Sequence, residues 1–209
     1  MTRLHIRTSI CLLTLVAVSA LSTQAALADN TTTAIREAET HYRQGNLGKA
    51  FTQIEEAATL IARRVAARYA KTFPAAPSGW TAKPVSASID GKRRAGRGVI
   101  LTRKYSENGG KGAMTAQLFV VGNPALASVI RGLKGAEARR TKRSIVPIDG
   151  AGDGFVKFDE TRRTGNIFIF TGRAIYITIH ARNIESRASL IRVLSAWNFA
   201  ALKKMTSTN

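Results

Sequence analysis

The chain is poor in the residues on which many protein activities depend. Its 209 residues include one cysteine, three histidines, five prolines and only 13 acidic side chains. The cysteine, Cys11, lies in an apolar N-terminal run, so the remaining chain can form no disulfide, no thiolate metal site and no cysteine nucleophile. We therefore expect a fold that is held together by burial alone.

Acidic residues are outnumbered by 32 Lys and Arg, which gives a formal net charge of +19. Such a chain repels itself and other basic proteins. It attracts anionic polymers and surfaces over about a Debye length, ~8–10 Å at physiological salt. The charge therefore indicates an anionic partner but does not identify it.

A long hydrophobic run occurs only near the N-terminus. Two arginines precede the apolar residues 10–21, and Ala26-Leu27-Ala28 offers small residues for cleavage before Asp29. We predict that residues 1–28 are a signal peptide and that the protein is periplasmic or secreted. A retained N-terminal anchor is the alternative, although the run is shorter than the ~20 residues that span a bilayer. Lipid attachment is not expected, because Cys11 does not follow the cleavage site.

Residues 29–74 are predicted to form a helical hairpin. Apolar residues recur at spacings of three and four from Leu47 to Tyr69, and Gln44-Gly45-Asn46 separates this helix from one at residues 34–43. The stretch from His41 to Phe51 resembles a tetratricopeptide unit, although Glu37-Ala38 replaces its usual Leu-Gly pair. One unit is too few for a solenoid with a peptide groove, so a hairpin that packs on the next domain is the other interpretation.

Residues 75–209 are predicted to form a basic α+β domain. After a stiff linker at residues 73–80, strand patterns alternate with glycine turns, and the hairpin of residues 166–180 is apolar on both faces. We expect that hairpin at the centre of an antiparallel sheet, with helices at residues 124–133 and 185–205 flanking it. Residues 29–74 carry a net charge of +2 and residues 75–209 carry +15.

Two motifs resemble a set of uncharacterised periplasmic proteins of proteobacteria. They are Phe73-Pro74-Ala75-Ala76-Pro77-Ser78-Gly79-Trp80-Thr81-Ala82 and Trp197-Asn198-Phe199-Ala200-Ala201-Leu202. That set combines a signal peptide, a short helical hairpin and an α+β domain. The resemblance implies a periplasmic location and this architecture, and the element order is similar to a PsbP-like sandwich.

Two dense cationic clusters are the predicted anion-binding residues. They lie in predicted loops, where several guanidinium groups can converge on one phosphate or carboxylate. Arg162-Arg163 and Arg173 would extend them. A generally basic surface without a shaped site would explain the same residues. The predicted contacts are Lys92, Arg93, Arg94, Arg97, Arg139, Arg140, Lys142 and Arg143.

Among anionic partners, lipid or lipopolysaccharide is favoured over nucleic acid. Single-stranded nucleic acid stacks on exposed aromatic residues, and the candidates are Trp80, Tyr105 and Tyr176. Of these, Tyr105 and Tyr176 fall in predicted strands, and Trp197 falls in the apolar stripe of the last helix. Burial is the expected use of those three rings.

Other chemical motifs have simpler interpretations. Residues 149–160 place acids and a glycine as a calcium loop does, but Ala151 replaces one ligand and the flanks resemble strands. A glycine-rich turn between strands is the simpler interpretation of this segment. His41 and His180 lie in different regions, and no serine follows a nucleophile-elbow pattern. We predict no catalytic residue, metal or cofactor.

These observations favour a non-catalytic binding protein that contacts an anionic component of the cell envelope. The component would be lipopolysaccharide, anionic lipid or an acidic partner. The alternative is an adaptor that docks a protein partner through the tetratricopeptide-like hairpin.

Overall fold

The computed structural model describes residues 30–90, 98–121, 124–141, 143–172 and 174–206. Within these ranges it contains helices and an antiparallel sheet, which confirms the α+β prediction. The helices are α1 (30–43), α2 (Leu47–Ala70), α3 (Pro124–Arg140), α4 (Arg187–Ser195) and α5 (Phe199–Thr206). The strands are β1 (Trp80–Ala82), β2 (Ser86–Asp90), β3 (Gly98–Glu107), β4 (Ala113–Val120), β5 (Ser144–Ile148), β6 (Gly152–Asp159), β7 (Thr164–Thr171) and β8 (Ile175–Arg182).

The predicted hairpin forms from α1 and α2. Gly45 adopts φ +74 at the turn, a conformation that glycine accepts without strain. Small buried residues, among them Ala34, Ala38, Ala50 and Ala57, allow the backbones to approach closely. The chain divides into two units after Ile61, so the last nine residues of α2 belong to the unit that contains the sheet.

The sheet has the strand order β1-β3-β4-β8-β7-β6-β5, with β2 also paired to β3. Every pairing is antiparallel. Strand β8 is the middle strand of this order and β7 is its neighbour. The expected central position of the β7–β8 hairpin is therefore confirmed.

One face of the sheet forms the core. Its side chains are buried beneath α4 and α5, and each fully buried Leu or Ile contributes about 1.5–3 kcal/mol relative to exposure. Helices α4 and α5 supply Leu190, Val193, Leu194, Phe199 and Leu202. The sheet contributes Leu101, Tyr105, Met114, Leu118, Ile167, Ile169, Ile177 and Ile179, among others.

The segment predicted as a stiff linker is in fact packed into this core. The hydroxyl of Tyr105 donates to the carbonyl oxygen of Pro74 at 2.9 Å. The indole N–H of Trp197 donates to the hydroxyl of Thr72 at 3.2 Å, and its ring centroid lies 4.5 Å from that of Phe73. Trp197 is buried, as its helical spacing predicted.

Two helix predictions were wrong. The expected single helix at residues 185–205 is interrupted between Ser195 and Phe199, where the side chain of Asn198 accepts the N–H of Ala201 and begins a new helix. Helix α3 does not end near residue 133 but continues to Arg140. Its alanines and charged residues are good helix formers, and they outweigh its two glycines.

Candidate anion-binding face of the sheet

The face of the sheet opposite the core carries polar residues at one end and aromatic residues at the other. Side chains alternate between faces along each strand, so the strand register determines which residues share this face. One register row crosses five strands and contains no acid. This polar row consists of Lys104, Thr115, His180, Asn166 and Lys157.

The polar row spans about 19 Å, because neighbouring strands lie about 4.8 Å apart. Lys104, His180 and Lys157 are exposed, while Thr115 and Asn166 are partly covered. The adjacent row adds the exposed Arg182 and the half-buried Asp159. The polar end of the sheet is therefore mainly cationic.

The aromatic end is a continuous cluster of rings. Phe170 and Tyr176 have centroids 4.9 Å apart, and Phe155 stacks on Phe168 at 5.1 Å. Helix α3 contacts this cluster through Arg131, whose guanidinium lies 5.6 Å from the Phe170 centroid.

Arg143 connects the helix to the polar row. Its side chain is 7% exposed, its guanidinium lies 5.1 Å from the Phe168 centroid, and one Nη donates to Oδ1 of Asn166. Its other Nη lies 3.6 Å from Glu137, which also accepts from Lys134 at 2.8 Å. Arg143 is thus held within the protein and orients the amide of Asn166.

These charges shift the acid–base properties of the face. Partial desolvation, followed by the charges of Arg143 and Lys134, lowers the pKa of His180 below its usual 6.5. The hydrogen bond from Lys134 is the main cause that lowers the pKa of Glu137. Burial raises the pKa of Tyr176 to about 12. At neutral pH we therefore expect His180 to be neutral, while Arg143, Lys134 and Glu137 are charged.

An open cavity of about 390 Å³ lies at the β6–β7 end of the polar row. It is lined mainly by polar and charged side chains, with Asp159 as the one carboxylate. That carboxylate accepts the backbone N–H of Arg162 at 2.9 Å. The lining side chains that can donate are Lys157, Arg162, Thr164, Asn166 and His180.

The residues predicted from sequence fall into three groups. Lys92, Arg93, Arg94, Arg97, Lys142 and Arg173 lie outside the described residues. Arg139 and Arg140 are exposed, but they occupy the last turn of α3 and not a loop, where their charge favourably opposes the helix dipole. Arg143 precedes β5 as expected, and its guanidinium turns inward.

The glycine-rich segment at residues 149–160 forms the turn and strand of the β5–β6 hairpin, as the simpler interpretation predicted. Among the described residues, no three of His, Cys, Asp and Glu come together as metal ligands. Tyr105 is buried, as expected, and is not a stacking platform.

Sequence reasoning missed Lys104, Lys157 and Arg182 and treated His180 as an isolated residue. The signal was present in their alternation with core residues, since His180 and Arg182 flank Ala181 in β8. That alternation assigns each residue to a face, but only the strand register aligns residues of different strands.

Comparisons with family models, with curated proteins and with solved structures found no match for this chain. In the part of the chain that the structure describes, no helix has both the length and the apolar character that a bilayer crossing requires.

Proposed function

We propose that this is an exported, non-catalytic protein that binds an anionic component of the cell envelope, with phosphate on lipid or lipopolysaccharide as the recognised group. The observation that supports this most is the polar row. It places the exposed cations Lys104 and Lys157, from two strands, on one face and contains no carboxylate. The adjacent row adds the exposed Arg182 from a third strand, together with one carboxylate, Asp159.

The arrangement suits a surface of many anions. Lys104, Lys157 and Arg182 are exposed on one side of the sheet, so they can approach a membrane together. Arg139 and Arg140 add charge at the end of α3, which contacts the same face. Each Lys or Arg near an anionic membrane contributes about 1 kcal/mol.

The test compares two variants with the same change in net charge. The first variant neutralises Lys104, Lys157 and Arg182 to Gln. The control variant neutralises exposed residues on α4 and α5, which cover the opposite face: Arg187, Arg192 and Lys203.

Binding of the mature protein is measured by co-sedimentation with vesicles of phosphatidylcholine, with and without phosphatidylglycerol, and with lipopolysaccharide, at physiological salt. We expect the first variant to lose roughly 100-fold in affinity for the anionic vesicles, from about 3 kcal/mol of lost contacts. The control variant should bind nearly as wild type. Equal losses in both variants, or equal binding to neutral vesicles, would contradict the proposal.

A second candidate function rests on the hairpin. It exposes Ile35, Tyr42, Ile54 and Ile61 around an open, mainly apolar groove of about 440 Å³. Glu39 is the one charged residue that lines it. An amphipathic helix of a partner protein, with its apolar face on these residues, would fit this groove.

This adaptor function predicts that Ile54→Ser in the full-length mature protein abolishes capture of such a partner and leaves vesicle binding unchanged. The matched control is Thr52→Ser, on the exposed surface of the same helix. Concentration-dependent self-association that Ile54→Ser removes would instead assign the groove to a second copy of the chain.

A further inference from the structure

We infer that the open cavity at the β6–β7 end of the polar row is a seat for a single phosphate group, borne by a lipid headgroup or free in solution. This inference rests on the proposed function and specifies the ligand chemistry of the same face. Its donors come from adjacent strands, since Lys157 and His180 each lie opposite Asn166 in the register.

Asn166 is fixed as a donor at the centre of this seat. Arg143 donates to its Oδ1, so the amide oxygen is already occupied by a cation that is almost fully buried. The amide orientation is thereby set, and the two Nδ2 hydrogens remain for another acceptor. A phosphate oxygen is such an acceptor.

Two cations flank this amide from the β6 side. Lys157 is exposed next to Asn166, and Arg162 lies in the turn after β6. Asp159 is the carboxylate that an incoming anion would meet. It accepts the backbone N–H of Arg162 at 2.9 Å and lies 3.9 Å from its Nε. The turn thus partly neutralises Asp159, and the cavity retains a net positive charge.

His180 makes the seat sensitive to pH. Its Nε2 lies 3.3 Å from the hydroxyl of Thr178. Partial burial, followed by the positive charges of Arg143 and Lys134, lowers its pKa. A bound phosphate would offset those charges, so the pKa of His180 should rise and binding should take up a proton. The charges of Lys134 and Arg143 act on the ring, and both cations contact Glu137. Lys157, Asp159 and Arg162 line the same cavity as His180, and Lys104 and Arg182 lie on the same face of the sheet.

The experiment follows the histidine ring signals of the mature protein by NMR as inorganic phosphate is added. The His180 signal is assigned by its loss in His180→Asn, and His41 in the hairpin serves as the internal reference. We expect a saturable shift of the His180 signal and an increase in the pKa of His180. Sodium chloride at the same ionic strength should not reproduce the saturable shift.

Lys157→Gln and Arg162→Gln should each weaken phosphate binding about 5- to 10-fold, by about 1–1.4 kcal/mol. Arg187→Gln, which carries the same charge change on α4, should leave it unchanged. All three side chains are exposed, so these variants should fold. The inference of a phosphate seat would be wrong if chloride shifted the His180 signal as much as phosphate does. It would also be wrong if Arg187→Gln weakened phosphate binding as much as Lys157→Gln.

The source of the phosphate is resolved by vesicles that contain phosphatidic acid or phosphatidylglycerol. A shift of His180 on either vesicle supports a headgroup, and a shift with inorganic phosphate alone supports a free anion. If the protein binds anionic vesicles while neither arm shifts His180, the seat is refuted and the proposed function stands. If inorganic phosphate binds in the cavity but the protein does not bind anionic vesicles, the phosphate seat is supported and the proposed function is refuted.

Discussion

Replacing Glu137 with Gln tests whether its contacts with Lys134 and Arg143 stabilise the fold. Arg143 in turn orients Asn166 in the polar row. The substitution keeps the size of the side chain and removes its charge. It weakens the hydrogen bond from Lys134, now 2.8 Å, and removes the carboxylate that faces Arg143 at 3.6 Å. The Arg143 side chain is 7% exposed, so water cannot fully replace the lost partner.

The two contacts differ in strength. Lys134 and Glu137 are both about one-third exposed, so their pair should contribute about 0.5 kcal/mol. Breaking a fully buried pair costs about 3–5 kcal/mol. Glu137 is partly solvated, so we expect about 1–2 kcal/mol from Arg143. The total expected loss in free energy of unfolding is about 2 kcal/mol at pH 7.

The loss should depend on pH in a defined direction. The folded protein lowers the pKa of Glu137 below its usual 4.5, so the stability that its charge provides is complete above that value. This stability disappears as pH falls through the lowered pKa, where the carboxyl becomes neutral in both states. The difference in the free energy of unfolding between wild type and Glu137→Gln should therefore disappear at acid pH.

Urea unfolding followed by tryptophan fluorescence measures this difference, because Trp80 and Trp197 both lie in the unit that contains the sheet. The matched control is Glu160→Gln, an exposed glutamate whose replacement should cost less than about 0.5 kcal/mol. The reasoning is refuted if Glu137→Gln is no less stable than Glu160→Gln at pH 7, or if its deficit persists unchanged at acid pH.

Three further predictions concern the core. Trp197→Phe removes the indole donor to Thr72 and should cost about 2 kcal/mol in urea unfolding, whereas Trp80→Phe on β1 should cost less. Burial raises the pKa of Tyr105 to about 12, so its ionisation opposes folding as pH rises above 10. Tyr105→Phe should then remove up to about 1.4 kcal/mol per pH unit of the alkaline loss of stability between pH 10 and 12. Gly165→Ala would place its Cβ 2.9 Å from the carbonyl oxygen of Lys157, so a thermal melt should show a loss of about 1–3 kcal/mol.

The architecture was predictable where the pattern of side chains is local. In the β7–β8 hairpin, β7 alternates Ile with Phe and β8 alternates Ile with Tyr and Thr on the other side of a glycine turn. Its apolar character on both faces indicates a central position. The helical hairpin was predictable for the same reason, since Gly45 interrupts two helical periodicities. Both features depend on residues that are close to one another in the sequence.

The errors occurred where distant residues decide the structure. Trp197 fits the apolar spacing of one long helix, but the helix is interrupted there. At the interruption the indole donates to Thr72, 125 residues earlier. The polar row is hidden in the sequence for a similar reason. Lys157 and His180 become neighbours of Asn166 only through strand register, and Arg143 is turned inward by Glu137.

The most direct test of the central claim is to determine which face of the sheet meets the membrane. Cys11 is the one cysteine and lies in the predicted signal peptide, so the mature protein can carry a single introduced cysteine with a fluorophore. Ser106→Cys places it next to the polar row, and Ala200→Cys places it on α5 at the opposite face. On phosphatidylglycerol vesicles with a nitroxide headgroup quencher, the label at Ser106 should be quenched much more than the label at Ala200. Equal quenching, or stronger quenching at Ala200, would contradict the account.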